Sequence, residues 1–357
     1  MKIVIIGGGI AGLACAVAMK KIGHQVVVKE KYSLEAKSGM AFLIRSNTLN
    51  NIRSLSTTSL NITGHHIHQF LLLNSCGSIR NKIPLTGWCA LQRITLVKFL
   101  VAQLTTTEFH ENSGFSHFKY EGNQVIAAVF KDGSIESGDI FIGADGINSP
   151  VRESFCKAQF YPNEINDVLC LIKNGPRDSH NNTFRKFQSV KQGISFGLVP
   201  LPKNEHVWFT QFDSKLFAPL LDKNKDDISA FCSQLLAEFP EEVKGIVKNS
   251  DFKNAHLWIS KELKLLDNYY KGNVCLIGDA AHGSISLTSS GVYSAISSAI
   301  DLAQALSSCK TIDLAFNKYE KARKTQHLKT IQYAQLLKTQ FLSGHINTEN
   351  YKLPFMK

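Results

Sequence analysis

Near its start the chain reads Gly7-Gly8-Gly9-Ile10-Ala11-Gly12, preceded by the apolar run Ile3-Val4-Ile5-Ile6 and followed by small and apolar residues through Met19. That order spells a strand, a tight turn and a helix packed on a sheet. Gly7 permits the turn, Gly9 lets phosphate groups approach the backbone, and Gly12 lets helix and strand pack closely. The free N–H groups of the helix N-terminus then face an anion. A second apolar run, residues 25–28, leads to Glu30, close to the spacing at which a carboxylate hydrogen-bonds a ribose hydroxyl and disfavours a ribose phosphate. A dinucleotide site is the expectation.

A second glycine-acid motif, Gly278-Asp279-Ala280-Ala281-His282, follows the buried-strand run Asn273-Val274-Cys275-Leu276-Ile277 almost at the other end of the chain. A third strand end, Ile140-Phe141-Ile142, runs into the acidic turn Gly143-Ala144-Asp145-Gly146, with Ser149 and Arg152 beyond it. Lys2 and the seventeen uncharged residues after it imitate a secretory signal, but three successive glycines would weaken such a helix and are already used by the turn. No other segment is long and apolar enough to span a bilayer. A soluble, cytoplasmic protein without stable membrane insertion is expected.

With 357 residues and 44% hydrophobic content, the chain can build a large core in one elaborated domain or two. Its eight cysteines show no paired spacing, so reduced thiols are expected rather than disulfides or zinc. The net charge of +11 comes from scattered lysines, not from basic clusters interleaved with aromatics, which argues against nucleic acid as a partner. His65, His66 and His68 lack an acidic or cysteine partner nearby and read as a surface strand rather than a metal site.

Between the motifs, residues 37–44 read as a loop entering a strand, and Ser46 as the cap of a helix through about Leu55. Residues 66–73 read as a strand, and a helical pattern starts at Arg93 with Leu96, Phe99, Leu100 and Leu104. Residues 115–145 read as hairpins. Residues 165–212 read mostly as strands, clearest at 194–199 and 207–212. Helices are expected at 226–238 and 290–306, before a basic amphipathic tail that contains Tyr319, Glu320 and Arg323. In the 194–199 strand, Ser195, Gly197 and Val199 form a small-residue face that leaves room for a ligand. If the next strand pairs in register, Phe209 and Gln211 join that wall. An ordinary half-buried sheet explains the same residues.

The order of these motifs resembles the single-component FAD-dependent aromatic monooxygenases of the para-hydroxybenzoate hydroxylase type, which include the tetracycline-inactivating monooxygenases. The likeness rests on Gly7 to Gly12 with Glu30, Arg93, Gly143 to Gly146 with Ser149 and Arg152, and Gly278 to His282 running into Gly291; it covers about the first 345 residues. It implies an α/β fold in which a Rossmann-like FAD-binding domain (1–61, 91–161 and 254–345) is interleaved with a sheet-rich substrate domain (62–90 and 162–253), with a C-terminal helix and a tail at 346–357. It implies FAD held by Gly7, Gly9, Gly12, Glu30, Lys37, Arg93, Asp145, Asp279 and Gly291, with NADPH or NADH as a transient electron donor. Lys37 stands where relatives often carry arginine.

The implied reaction takes electrons from the nicotinamide into FAD and transfers one atom of oxygen to a bound small molecule, mostly apolar and aromatic or polycyclic. His282 is a candidate for proton transfer or flavin positioning, and equally for packing. Asp145 and Asp279 are also of the kind that cap turns, and Arg93 of the kind that forms a surface ion pair. The chain departs from the family after His282: Ser286 replaces the usual proline, Ser289 a glycine, and Ser298 an acidic residue. A flavin reductase or dehydrogenase, or a flavin-binding protein with little catalysis, remains the alternative on the same scaffold.

Overall fold

The computed structural model describes residues 1–33, 41–56, 58–106, 108–173, 175, 181–191, 193–215 and 225–344. Two large sheets organise them. The first has six strands in the order Tyr270–Lys271, Val274–Leu276, Ile140–Gly143, Lys2–Ile6, Gln25–Lys29 and Phe109–His110. Apart from the antiparallel edge pair Tyr270–Lys271 with Val274–Leu276, its strands are parallel. The central strands are continuous apolar runs because helices cover the sheet. Ile3, Val4, Ile5, Ile140, Phe141 and Ile142 are fully buried. The helices Ile10–Lys21 and Gly291–Ser308 pack against each other as part of this layer.

The second sheet has eight strands in the order His256–Ile259, Ile165–Ile172, His206–Asp213, Ile194–Pro200, Thr183–Gln188, His65–Asn74, Ile79–Gln92 and Ala41–Arg45. One face carries Phe187, Phe196, Trp208 and Phe212 against the helices Lys225–Leu235 and Glu241–Lys248. Backbone pairing draws Ala41–Arg45 and His256–Ile259 into this sheet, although both lie in segments assigned from sequence to the FAD-binding unit. The sheet thus runs across those boundaries, because an edge strand goes where unpaired N–H and C=O groups await it. A small sheet of Phe115–Glu121, Gln124–Phe130 and Ile135–Ser137 realises the hairpins. The helix after Ala41–Arg45 runs Ser46–Leu55 with Arg45, not Ser46, at the cap position and no side-chain cap bond.

The helix Ile312–Leu342 braces the whole. Near its start the Tyr319 hydroxyl donates to the Leu276 carbonyl at 3.1 Å, and Arg323 pairs with Asp301 at 2.9 Å. Near its end Lys338 pairs with Glu164 at 2.8 Å, and Gln335 donates to Glu262 at 2.8 Å. Among the described residues, no helix is long and apolar enough to cross a membrane.

Glu262 is a weak point in that brace. It is 3% exposed, its Oε1 has no partner, and burial pushes its carboxyl up to about 7 against the pull of Lys338. A carboxyl whose folded value is raised supports the fold below its unfolded value, and that support is lost as pH rises from about 4.5 to about 7. Glu262→Gln is therefore expected to match the wild type in thermal melts near pH 4 and to exceed it at pH 8, by at most roughly 3 kcal/mol. A variant less stable than wild type at pH 8 would show that the carboxylate is needed.

Candidate active site

Three strand ends that are far apart in sequence lie side by side. Lys2–Ile6, Ile140–Gly143 and Val274–Leu276 are neighbours in the parallel sheet, so Gly7, Asp145 and Asp279 all emerge at its carboxyl edge, where open α/β sheets bind ligands. Gly7 has φ +109°, and its amide donates to the Lys29 carbonyl at 2.8 Å. A Cβ on Gly12 would strike the Gly7 carbonyl oxygen, so helix and turn touch backbone to backbone. A Cβ on Gly9 would meet nothing within 4 Å. The room beyond Gly9 is the space that phosphate groups require.

Glu30 closes the neighbouring strand and is 5% exposed. Its Oε2 accepts from the Gly8 amide at 2.6 Å and its Oε1 from the Tyr32 amide at 3.0 Å. Arg93 is the first residue of the helix Arg93–Val101. Burial pulls its guanidinium down, while the carboxylates of Glu30 and Asp279 hold it charged. Asp279 is walled in by protein yet open to the cleft, and that surrounding raises its carboxyl against the pull of Arg93. Asp145 accepts from the Val151 amide at 3.0 Å with one oxygen, while its buried Oδ1 has no partner. Arg152, 1% exposed, ties the two acidic turns by donating to the carbonyls of Ala280 at 3.1 Å and Ile147 at 2.9 Å. Gly291 begins its helix with open space where a Cβ would stand. Lys37 lies outside the described residues.

His282 is buried beneath this edge. Its Nε2 lies 2.7 Å from the Ser298 hydroxyl, and its ring lies 6.0 Å from His327 and 6.2 Å from Tyr269. Burial, with Arg323 and His327 nearby, pushes its imidazole well below the usual histidine range. The ring is thus held neutral, and Ser298, where relatives carry an acidic residue, supplies its hydrogen-bond partner.

One face of the second sheet carries two adjacent rows of paired residues. Asp167, Gln211, Ser195 and Gln188 stand opposite one another across four strands, and Leu169, Phe209, Gly197 and Lys186 form the next row. The register puts Gln211 and Phe209 on one face with Gly197. A Cβ on Gly197 would strike the Phe209 ring, so that ring, not a ligand, fills the room above the glycine. Sequence reasoning missed Asp167 and Lys186, which make this face less apolar than it reads. The alternation from Asp167 through Leu169 to Leu171 was the signal available for the first.

The serine-bearing segment is tied to that sheet. Ser286 Oγ donates to Asp167 Oδ2 at 2.8 Å, and Ser260 donates to the same oxygen at 3.2 Å. Thr288 lies within hydrogen-bond distance of Ser284 and Ser290, and donates to the Ile285 carbonyl at 2.9 Å. Ser289 has φ 48°, a left-handed conformation that glycine adopts without steric cost. The serines thus give the loop internal hydrogen bonds, at the expense of one strained residue.

A sequence model described as an FAD binding domain, FAD_binding_3, matches residues 1–331. The chain belongs to that family, the flavin monooxygenases of the para-hydroxybenzoate hydroxylase type. It is 25% identical over 326 residues to Monooxygenase 2 of Arabidopsis thaliana, covering 85% of this chain and 76% of that protein. It is 24% identical over 343 residues to the FAD-dependent urate hydroxylase of Klebsiella pneumoniae, covering 90% and 86%. Among solved structures, 2,6-dihydroxypyridine-3-hydroxylase from Arthrobacter nicotinovorans superposes with a TM-score of 0.85 at 14% identity, over 99% of this chain and 95% of that one. This flavin monooxygenase thus shares the fold of that structure.

The residues fit FAD. Open space beyond Gly9, the partnerless Asp145 oxygen and the Arg93 cation between two carboxylates are what a dinucleotide phosphate and ribityl chain need. The two glycines therefore respond differently to substitution. Gly9→Val is expected to melt like the wild type when both are stripped of flavin, yet to purify with little FAD. Gly12→Val is expected to lower the melting temperature of the apoprotein itself. Flavin content and thermal melts measured together check this; full FAD occupancy in Gly9→Val contradicts it.

Proposed function

We propose that this FAD-dependent monooxygenase uses NADPH or NADH and oxygen to hydroxylate a small, planar, mostly apolar molecule. The observation that carries the substrate reading is the pair Leu169 and Phe209, only partly buried on the sheet face to which Ser286 is bonded. Flat apolar rings stack against such a wall. The relatives support the planar part of this reading, since urate and a dihydroxypyridine, the molecules in two of their names, are both flat rings. No second glycine fingerprint follows a strand elsewhere in the chain, which supports a donor that docks transiently rather than in its own domain.

FAD, once bound, supplies the electron transfer and oxygen chemistry. The chain's contribution is shape and polarity. Gly7, Gly9 and Gly12 would hold the pyrophosphate, Glu30 the adenosine ribose, and Arg93, Asp145 and Asp279 the phosphates and ribityl chain, and Gly291 would leave room at the helix start. The Asp167–Ser286 hydrogen bond holds the loop against the sheet and so keeps water from the reacting atoms.

The deciding experiment is turnover with candidate aromatic ligands under labelled oxygen, followed by mass analysis. One labelled atom in the product and ligand-stimulated NAD(P)H oxidation are expected. Oxygen-independent reduction or oxidation of the ligand would instead select a reductase or dehydrogenase. For the loop, Ser286→Ala is expected to raise hydrogen peroxide released per NAD(P)H severalfold without changing FAD content. An unchanged yield would show that the hydrogen bond does not shield the site.

A further inference from the structure

We propose that Lys329, on the brace helix Ile312–Leu342, belongs to the flavin site: it closes the cavity that takes the ring end of FAD and favours the reduced ring over the oxidised one. The inference rests on the proposed reaction and extends it to a residue of the brace. A cavity of about 330 Å³ opens beside Ser289 and Tyr293, which flank Gly291 in the chain. Arg45 and Trp88, paired across the last two strands of the second sheet, line another side of it, and Gln326 and Lys329 of the brace a third. That volume lies at the lower end of small-molecule sites.

Donors collect around this cavity. Trp88 is 6% exposed, and its indole N–H meets no acceptor among the described residues, while its ring carries the Arg45 guanidinium at 5.8 Å. An indole nitrogen can only donate, so such a group is completed by an acceptor from outside the protein. Among the described residues, the Gln326 side-chain amide and the Lys329 ammonium also have no hydrogen bond or ion pair. The helix Gly291–Ser308 begins at the same cavity with no side-chain cap, and its positive end adds to the two cations. Donors and positive charge on several sides suit a flat, acceptor-rich ring that carries negative charge. The flavin ring meets that description once reduced. Hydride transfer from the nicotinamide brings it two electrons and one proton, so the ring gains one negative charge and the nicotinamide becomes one charge more positive. A cation beside the ring lowers the energy of the reduced form more than that of the neutral, oxidised one. Arg45 is already engaged with Trp88, which leaves Lys329 as the cation available to the ring.

The test uses the FAD-loaded protein and reads the two-electron midpoint potential of the flavin against a redox dye, together with the dissociation constant of oxidised FAD. Lys329→Gln is expected to bind oxidised FAD almost as the wild type does but reduced FAD about tenfold more weakly, which lowers the potential by about 30 mV. Lys329→Arg should keep the wild-type potential. Lys321→Gln removes an equal charge from an exposed position of the same helix outside the cavity, and should leave the potential where it is. No shift in Lys329→Gln, or the same shift in Lys321→Gln, would overturn the proposal. An unchanged potential with weaker NAD(P)H binding would also overturn it, because the cavity would then serve the donor. Lys329 is exposed, so its variants are expected to melt like the wild type. A shifted potential that comes with a lower melting temperature of the apoprotein would mark a distorted brace and equally overturn the proposal. A wild type that binds no FAD would refute the cofactor site itself, whereas bound FAD indifferent to Lys329→Gln would refute Lys329 alone.

Discussion

The site depends on the parallel pairing of three short strands. Lys2–Ile6, Ile140–Gly143 and Val274–Leu276 hold one another in register through ladders such as Ile5 with Ile142 and Ile142 with Cys275. Parallel alignment puts all carboxyl ends on one edge, so turns separated by more than a hundred residues meet there. Everything polar in the cradle follows from this. Arg93 feels both Glu30 and Asp279, and Arg152 joins the backbone of one acidic turn to that of the other. Slipping one strand would part these charges.

The second sheet contributes by alternation. Each of its strands sends one set of side chains into the packed layer beneath the helices and the other toward the cleft. Trp208 and Thr210 turn away from Phe209 and Gln211 for that reason, and the same rule separates Val168 from Asp167. Pairing then sorts that face into a row of Asp167, Gln211, Ser195 and Gln188 and a row that runs from Leu169 and Phe209 to Lys186, and the first is where the loop fastens, through Ser286.

How far the sequence revealed this depends on the range of the interactions. Gly7 to Gly12, Glu30 and the helix starting at Arg93 were legible because each is a local pattern with a local cause. The pairing of Phe209 with Gly197 was foreseen from alternation, but the ring's position above the glycine was not, since it depends on side-chain packing across strands. Asp167 and Lys186 escaped notice because their strands pair with partners some forty and over a hundred residues away. Ser46 was misplaced by one residue at a helix start, where a serine commonly caps. That Ala41–Arg45 and His256–Ile259 would join the second sheet was not legible, because edge strands carry little periodic signal of their own.

The order of strands also bears on how the chain is made. The central strand Lys2–Ile6 leaves the ribosome first, but its partners are Gln25–Lys29, made at once, and Ile140–Gly143, made much later. The sheet acquires Val274–Leu276 later still, and the brace Ile312–Leu342 comes after that. Until Ile140–Gly143 is made, the nascent molecule therefore displays one bare apolar edge along Ile3 to Ile6. A chain built this way completes its cradle for a nucleotide among the last of its parts.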